Sequence, residues 1–282
     1  MQEKFGNRFV REIFRTAAVV ATMAITMPTA AAEPAPLAEV SFVGDYSTGD
    51  FSQWYKVQNR YYDGAGEDFV ANNSARIVQD DEKGRAARFE VRPGHPVSRG
   101  KERSEVAGGF QTGGTEGQIM WYQFATKFGS NFPPNHADLG FALTNQFWAA
   151  AYAAPPVAWA LNKKNGFWSL VVLKQRKRGV YLDTTYIFDT PIDVGAWHNV
   201  TMQIRWSASD KRGWIKLWLD GERQEFNDGS ETYRVRTLIP GVDSVRYKEG
   251  YYREQSPQKP TGVVFHAGFR CGQGDPPLMK LS

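Results

Sequence analysis

The sequence predicts an all-β protein, a two-sheet antiparallel sandwich of jelly-roll type. Apolar residues recur at every second position along many short segments, Gly, Pro, Asn and Asp clusters separate those segments, and helical periodicity is nearly absent. Composition agrees, because 9 Trp, 12 Tyr and 18 Phe among 282 residues suit pleated, half-buried surfaces. A hydrophobic content of 41% with 23% charged residues supports one sizeable core and excludes disorder or collagen-like repetition. The single cysteine, Cys271, rules out a disulfide framework and is expected as a small buried hydrophobe.

The elements follow in chain order. Arg8, Arg11 and Arg15 precede the apolar run from Thr16 to Met27, and Ala30, Ala31 and Ala32 offer small residues for cleavage, so 1–32 reads as a secretory signal peptide. The run falls short of the ~20 residues that a membrane helix needs. A secreted or periplasmic protein is therefore expected, with no membrane partner once the leader is gone. Removing 1–32 deletes Lys4 and three Arg against Glu3 and Glu12, which takes the net charge from +4 to +2. That balance, with no recognisable motif, argues against nucleic acid. Residues 33–282 then form one domain, and a monomer is expected.

Strands are expected at 38–44, 85–92, 118–128, 139–148, 157–162, 167–175, 180–188, 197–206, 213–220 and 262–270. The clearest is Trp197 to Trp206, where Val200, Met202 and Ile204 alternate with Asn199, Thr201, Gln203 and Arg205. Asp220-Gly221 supplies a turn after the next strand. In 85–92, Ala87, Phe89 and Val91 oppose Arg88, Glu90 and Arg92. The polar faces carry many Arg, Gln, Asn and Trp side chains. A bent sheet would turn such a face into a groove for a long polymer, with cations and amides for acidic groups and aromatic faces for sugar rings. Arg88 is a candidate substrate-binding residue on that ground.

Several segments resemble the polysaccharide lyase superfamily that includes heparin lyase I and the glucuronan lyases, with a more distant likeness to jelly-roll alginate lyases. The similarity runs along most of residues 33–282. Gly44 to Trp54 resembles the family's opening strand, Lys101-Glu-Arg-Ser-Glu-Val106 its Arg-x-Glu strand, and Tyr247-Lys-Glu-Gly-Tyr-Tyr-Arg253 its Lys-x-Gly-x-Tyr element. Thr144-Asn-Gln-Phe-Trp148 stands where relatives often have Gln-x-His. The resemblance implies a concanavalin-like sandwich with a concave substrate groove that cleaves a uronic-acid polymer by β-elimination, with an anionic polysaccharide as partner. Glucuronan is the first choice, alginate or a glycosaminoglycan the next.

That chemistry needs a donor or cation to neutralise the sugar carboxylate, a base for the C5 proton and an acid for the C4 oxygen. The resemblance assigns Gln146 to the carboxylate, Tyr252 to acid and base, and Arg103 and Lys248 to the cationic surroundings that favour phenolate. Glu105 would orient Arg103, Asn145 would assist Gln146 from a position whose parity turns it away, and Gly250 would leave room for the polymer. Tyr251 becomes the alternative acid if the register slips by one. Trp148 replaces the family histidine and suits sugar stacking, while His136 is the best loop histidine to act instead. No cofactor is required. Relatives can carry a structural calcium, for which Asp45 and Asp50 are the candidate ligands. Two rival readings remain: a non-catalytic acidic-glycan-binding sandwich, and a retaining glycosidase, which would need two carboxylates ~5 Å apart.

Overall fold

The computed structural model describes residues 39–59, 73–94, 97–98, 100–133, 140–149, 153–161, 166–255 and 260–276. The expected leader at 1–32 and the loop histidine His136 lie outside them. Strands are numbered in chain order. The first sheet runs β15 (Glu222–Arg223), β14 (Trp214–Leu219), β13 (Trp197–Arg205), β8 (Ile119–Phe128), β18 (Gly262–Gln273), β4 (Gly84–Val91) and β3 (Ala75–Asp80). Beside this path, β1 (Glu39–Gly44) pairs with β18 and β16 (Tyr233–Arg234) with β14. The second runs β12 (Val180–Pro191), β11 (Phe167–Lys177), β10 (Val157–Leu161), β9 (Ala142–Trp148), β17 (Ser244–Glu254), β6 (Lys101–Ala107) and β2 (Lys56–Gln58). There β5 (Val97–Ser98) adds to β6, and β7 (Gly114–Thr115) to β17. Each sequential strand expected from alternation is present within a few residues, and the fold is the antiparallel jelly-roll sandwich.

Alternation explains how the sheets meet. Val200, Met202 and Ile204 of β13 and Tyr122, Phe124 and Phe128 of β8 turn inward and are fully buried. They face Phe147, Trp159, Trp168, Val172 and Tyr247 of the second sheet, all at most 1% exposed. Tyr247 stacks on Phe269 at 4.1 Å between centroids, and Tyr122 meets Phe147 edge-on at 4.7 Å. Such pairs add about 0.5–1.5 kcal/mol each beyond area burial. Cys271 is buried, as expected of a small hydrophobe, and burial pushes its thiol up to about 12. His198 is buried as well, against Phe128 and Trp168.

Two irregularities in the second sheet set its outer face. β9 shifts register against β10 between Leu143 and Asn145, so Thr144 and Asn145 both turn inward. β17 shifts against β9 between Glu249 and Tyr252. Gly250 lies in that interval with φ 147°, and a Cβ there would come within 2.2 Å of the Ser104 carbonyl oxygen. Only glycine fits this approach.

Candidate active site on the outer face of the second sheet

β17 runs between β9 and β6 and aligns three polar stripes. Lys248 pairs with Gln146 on one side and with Ala107 on the other, Gly250 pairs with Glu105, and Tyr252 with Arg103. Parity then places Arg103, Glu105, Gln146, Trp148, Lys248 and Tyr252 on the outer face of one sheet. Gln146 Nε2 donates to Glu105 Oε1 at 2.5 Å, and Arg103 Nε lies 3.7 Å from Glu105 Oε2. The Arg103 guanidinium sits 5.4 Å from the centre of the Tyr252 ring, and Lys248 Nζ 5.0 Å from that of Trp148. The sequence-derived group thus meets in space.

The electrostatics differ from expectation at Tyr252. Burial raises its pKa, Glu105 raises it further, and Arg103 only opposes them, so the cations do not hold a phenolate ready. Lys248 moves the other way. Burial lowers its pKa first, with Arg103 and Lys56 adding to the effect against Glu105. Its amine donates to Gln58 Oε1 at 2.8 Å.

Beside Tyr252 the face turns apolar. Phe141, Leu143, Ala160, Val171, Leu173, Tyr181 and Tyr186 line a hollow of about 430 Å³, and Tyr252 packs edge-on against Phe141 at 5.1 Å. At the other end of β17, Arg246 lies over the Phe110 ring at 3.6 Å. Sequence reasoning missed Gln58, Lys56, Arg246, Tyr55 and Phe110. The only available signal was the alternation in Tyr55-Lys-Val-Gln58, on a strand of three residues.

Three expectations are corrected. Asn145 lies in the sandwich interior, where its amide donates to the Tyr247 hydroxyl at 2.7 Å; the register shift in β9 keeps it from the outer face. Arg88 is on β4, in the other sheet, and is ion-paired with Glu90. The absent side chain of Gly250 makes room for the backbone of β6 and not for a polymer. Tyr251 is fully buried against Phe132, so the register puts Tyr252 outside.

Beneath this face lies a polar network that nothing in the sequence announced. Glu249, fully buried, accepts from the Tyr46 hydroxyl at 2.6 Å and from the Tyr247 hydroxyl at 2.9 Å. His266 Nε2 is 3.1 Å from the Gly250 carbonyl oxygen, which only accepts, so Nε2 carries the proton and Nδ1 receives the Thr126 hydroxyl at 3.1 Å. On the first sheet's side, Asp45 is held by Gln53 and the Ser47 amide, and Asp50 by Ser52 and Thr48. Among the described residues no group of three or more His, Cys, Asp or Glu is arranged to hold a metal ion.

No curated protein matches the chain. An endo-β-1,4-glucuronan lyase from the fungus Trichoderma reesei superposes with TM-score 0.61 at 18% identity, over 84% of this chain and 96% of that one. A family 7 alginate lyase solved with substrate gives 0.53 at 11% identity, over 83% and 98%. The catalytic domain of a GH131 β-glucanase from Podospora anserina gives 0.52 at 10%, over 81% and 88%. At such identities these likenesses speak for the fold alone. The family model described as polysaccharide lyase matches residues 46–270, through both sheets and every strand of the outer-face cluster, and the chain belongs to that family.

Proposed function

We propose that the protein is an exported lyase that cleaves a polymer of 4-linked glucuronic acid by β-elimination, with Tyr252 as both base and acid. The carrying observation is the convergence of Arg103, Gln146, Lys248 and Tyr252 on one sheet face, around the ring of Tyr252 and the carboxylate of Glu105. Arg103 and Lys248 neutralise the sugar carboxylate, with the second amide hydrogen of Gln146 as a further donor. Neutralisation is what makes the C5 proton removable. In glucuronate that proton and the C4 oxygen leave from the same side of the ring. One group then serves both steps: the Tyr252 phenolate takes the C5 proton, the electron pair forms the C4–C5 double bond, and the new phenol returns the proton to the departing oxygen.

Because burial and Glu105 raise the Tyr252 pKa, the phenolate is scarce near neutrality, and kcat/KM rises with pH on the alkaline side. The β-glucanase likeness favours no hydrolase. Glu105 and Glu254 are the carboxylates on the outer face of β6 and β17, and their register positions, Gly250 and Glu254 on β17, are four residues apart. Their backbones are thus about 13 Å apart along the strand, and Glu105 is turned to Gln146 and Arg103 while Glu254 is turned to Lys101, which is not the paired arrangement a glycosidase needs.

A panel of purified polyuronates, followed by the ultraviolet absorbance of unsaturated ends, tests the reading. Polyglucuronate is expected to be cleaved fastest, ahead of alginate and glycosaminoglycans, and Tyr252→Phe to lose about 10²–10⁴-fold in kcat. A folded protein that binds these polymers but leaves all of them intact is a glycan-binding sandwich and no lyase. A Tyr252→Phe protein at full rate moves the acid and base elsewhere.

A further inference from the structure

We propose that Arg246, Tyr55, Phe110 and Trp148 form a second sugar subsite, which holds another acidic unit of the same chain away from the reacting one; this rests on the lyase reading above. Arg246 shares the outer face of β17 with Lys248 and pairs with Trp148 across β9. Its guanidinium carbon lies 3.6 Å from the centre of the Phe110 ring, 5.9 Å from that of Trp148 and 6.0 Å from that of Tyr55. Arg246 and Tyr252 are six positions apart, about 20 Å along an extended strand, too far for both to touch one sugar.

Two of these rings are exposed without any packing reason. Tyr55 is 72% and Phe110 68% exposed, although both flank a sheet whose other face buries rings of the same kind. The backbone that carries Phe110 is also tied to β17. Phe110 opens a 3₁₀ turn, Phe110–Thr112, closed by the Gly113 amide on the Phe110 carbonyl at 3.2 Å. Thr112 Oγ1 donates to the Gly109 carbonyl at 2.7 Å and accepts the Tyr247 amide of β17 at 3.2 Å. A sugar arriving at Phe110 meets a backbone already held in place, which lowers the ordering cost of binding there.

The chemistry selects the ligand class. The C–H face of a pyranose is apolar and stacks on an aromatic ring, while a carboxylate at its edge takes two hydrogen bonds from a guanidinium. Arg246 spends its charge on ring faces alone and has no ion pair among the described residues. With Lys248 and Lys56 nearby, this end of the face is cationic, and it contrasts with the apolar hollow on the far side of Tyr252. A uronate fits the first region, and a neutral sugar gains only the stacking.

The test compares the full chain with a Tyr55→Ala/Phe110→Ala double variant and with Arg246→Gln, on oligoglucuronates of increasing length and on polyglucuronate. KM is expected to rise about tenfold for the polymer and progressively less for shorter oligomers, since lost ground-state binding appears in KM. The Arg246→Gln effect should shrink with added salt. Equal KM for variants and wild type at every length overturns the subsite and leaves the lyase reading standing. Electrophoretic retardation in a gel containing polyglucuronate reads the same site without turnover. Variants should run faster than wild type, and equal retardation sinks the proposal even if no polymer is cleaved.

Discussion

Arg253 and Glu249 both point from β17 into the sandwich, four residues apart, and the protein holds them in opposite ways. Arg253 is paired: its Nε meets Glu102 Oε2 at 2.6 Å, its Nη1 donates to the Pro260 carbonyl at 2.5 Å, and both charged side chains are 0% exposed. Glu102 also accepts the Gly94 amide at 2.7 Å. Glu249 has only hydroxyl donors, and burial pushes its carboxyl up to about 8 against the pull of Tyr46 and Tyr247. His266 Nδ1 lies 3.9 Å from it, and burial lowers that imidazole to about 3. At neutral pH the C-terminal end of the strand therefore holds a charge pair and its middle a neutral cluster. Burial leaves an ionisable group those two choices, and their consequences differ.

The charge pair gives the largest expected effect. Arg253→Met leaves Glu102 charged and unpaired in the interior, which costs about 3–5 kcal/mol. Because the fold of a domain this size is only about 5–15 kcal/mol stable, urea unfolding should shift far to lower concentration. The double variant Arg253→Met/Glu102→Leu removes both charges and should recover most of the loss. A single variant that costs under about 1 kcal/mol would mean the pair is solvated in solution, and the contrast along β17 would collapse.

The same buried polar groups explain what the sequence did and did not disclose. β8, β13 and β14 alternate cleanly because one face is apolar core, and 119–128, 197–205 and 214–219 were legible from period two alone. β6 and β17 carry the site and send Glu102, Ser104, Glu249 and Arg253 inward, so both faces read as polar and the alternation vanishes. Only their likeness to family motifs marked them. Alternation also names a face without naming a sheet, which is why Arg88 had the correct outward parity and the wrong surface. Asn145 shows a third limit, since a one-residue register shift in β9 has no signature in composition.

The neutral cluster predicts a pH response of intermediate size. The folded His266 binds fewer protons than an unfolded one between about 3 and its ordinary 6.5, so its contribution to stability is lost as pH falls through that window. Glu249 is the reverse case. Its folded form binds more protons between the ordinary 4.5 and about 8, so stability falls as pH rises through that window. Between 4.5 and 6.5 the two slopes oppose each other. Glu249→Gln should remove the alkaline decline, on the order of a few kcal/mol, and leave the acid decline in place. His266→Gln, which can keep a donor to the Gly250 carbonyl, should remove the acid decline alone. Chemical denaturation at pH 4, 6 and 8.5 checks this, and parallel pH profiles for wild type and Glu249→Gln would show that Glu249 is ionised or solvated in the fold.

The smallest effect belongs to a second pair one register step from the first. Lys101 and Glu254 face each other on β6 and β17 as Glu102 and Arg253 do, but parity turns them outward. Their Nζ–Oε1 distance is 3.3 Å with side chains 31% and 51% exposed, so solvent and salt screen the pair. Breaking the pair with Glu254→Gln should cost at most about 1 kcal/mol, and less at high ionic strength. Strand and partner strand are shared by the two pairs, so the difference between Glu254→Gln and Arg253→Met reads what burial adds to an ion pair, together with the hydrogen bonds to the Pro260 carbonyl and the Gly94 amide that only the inner pair makes. If both substitutions cost the same in urea melts, the inner pair draws its strength from geometry, and burial is not what separates the two faces of β17.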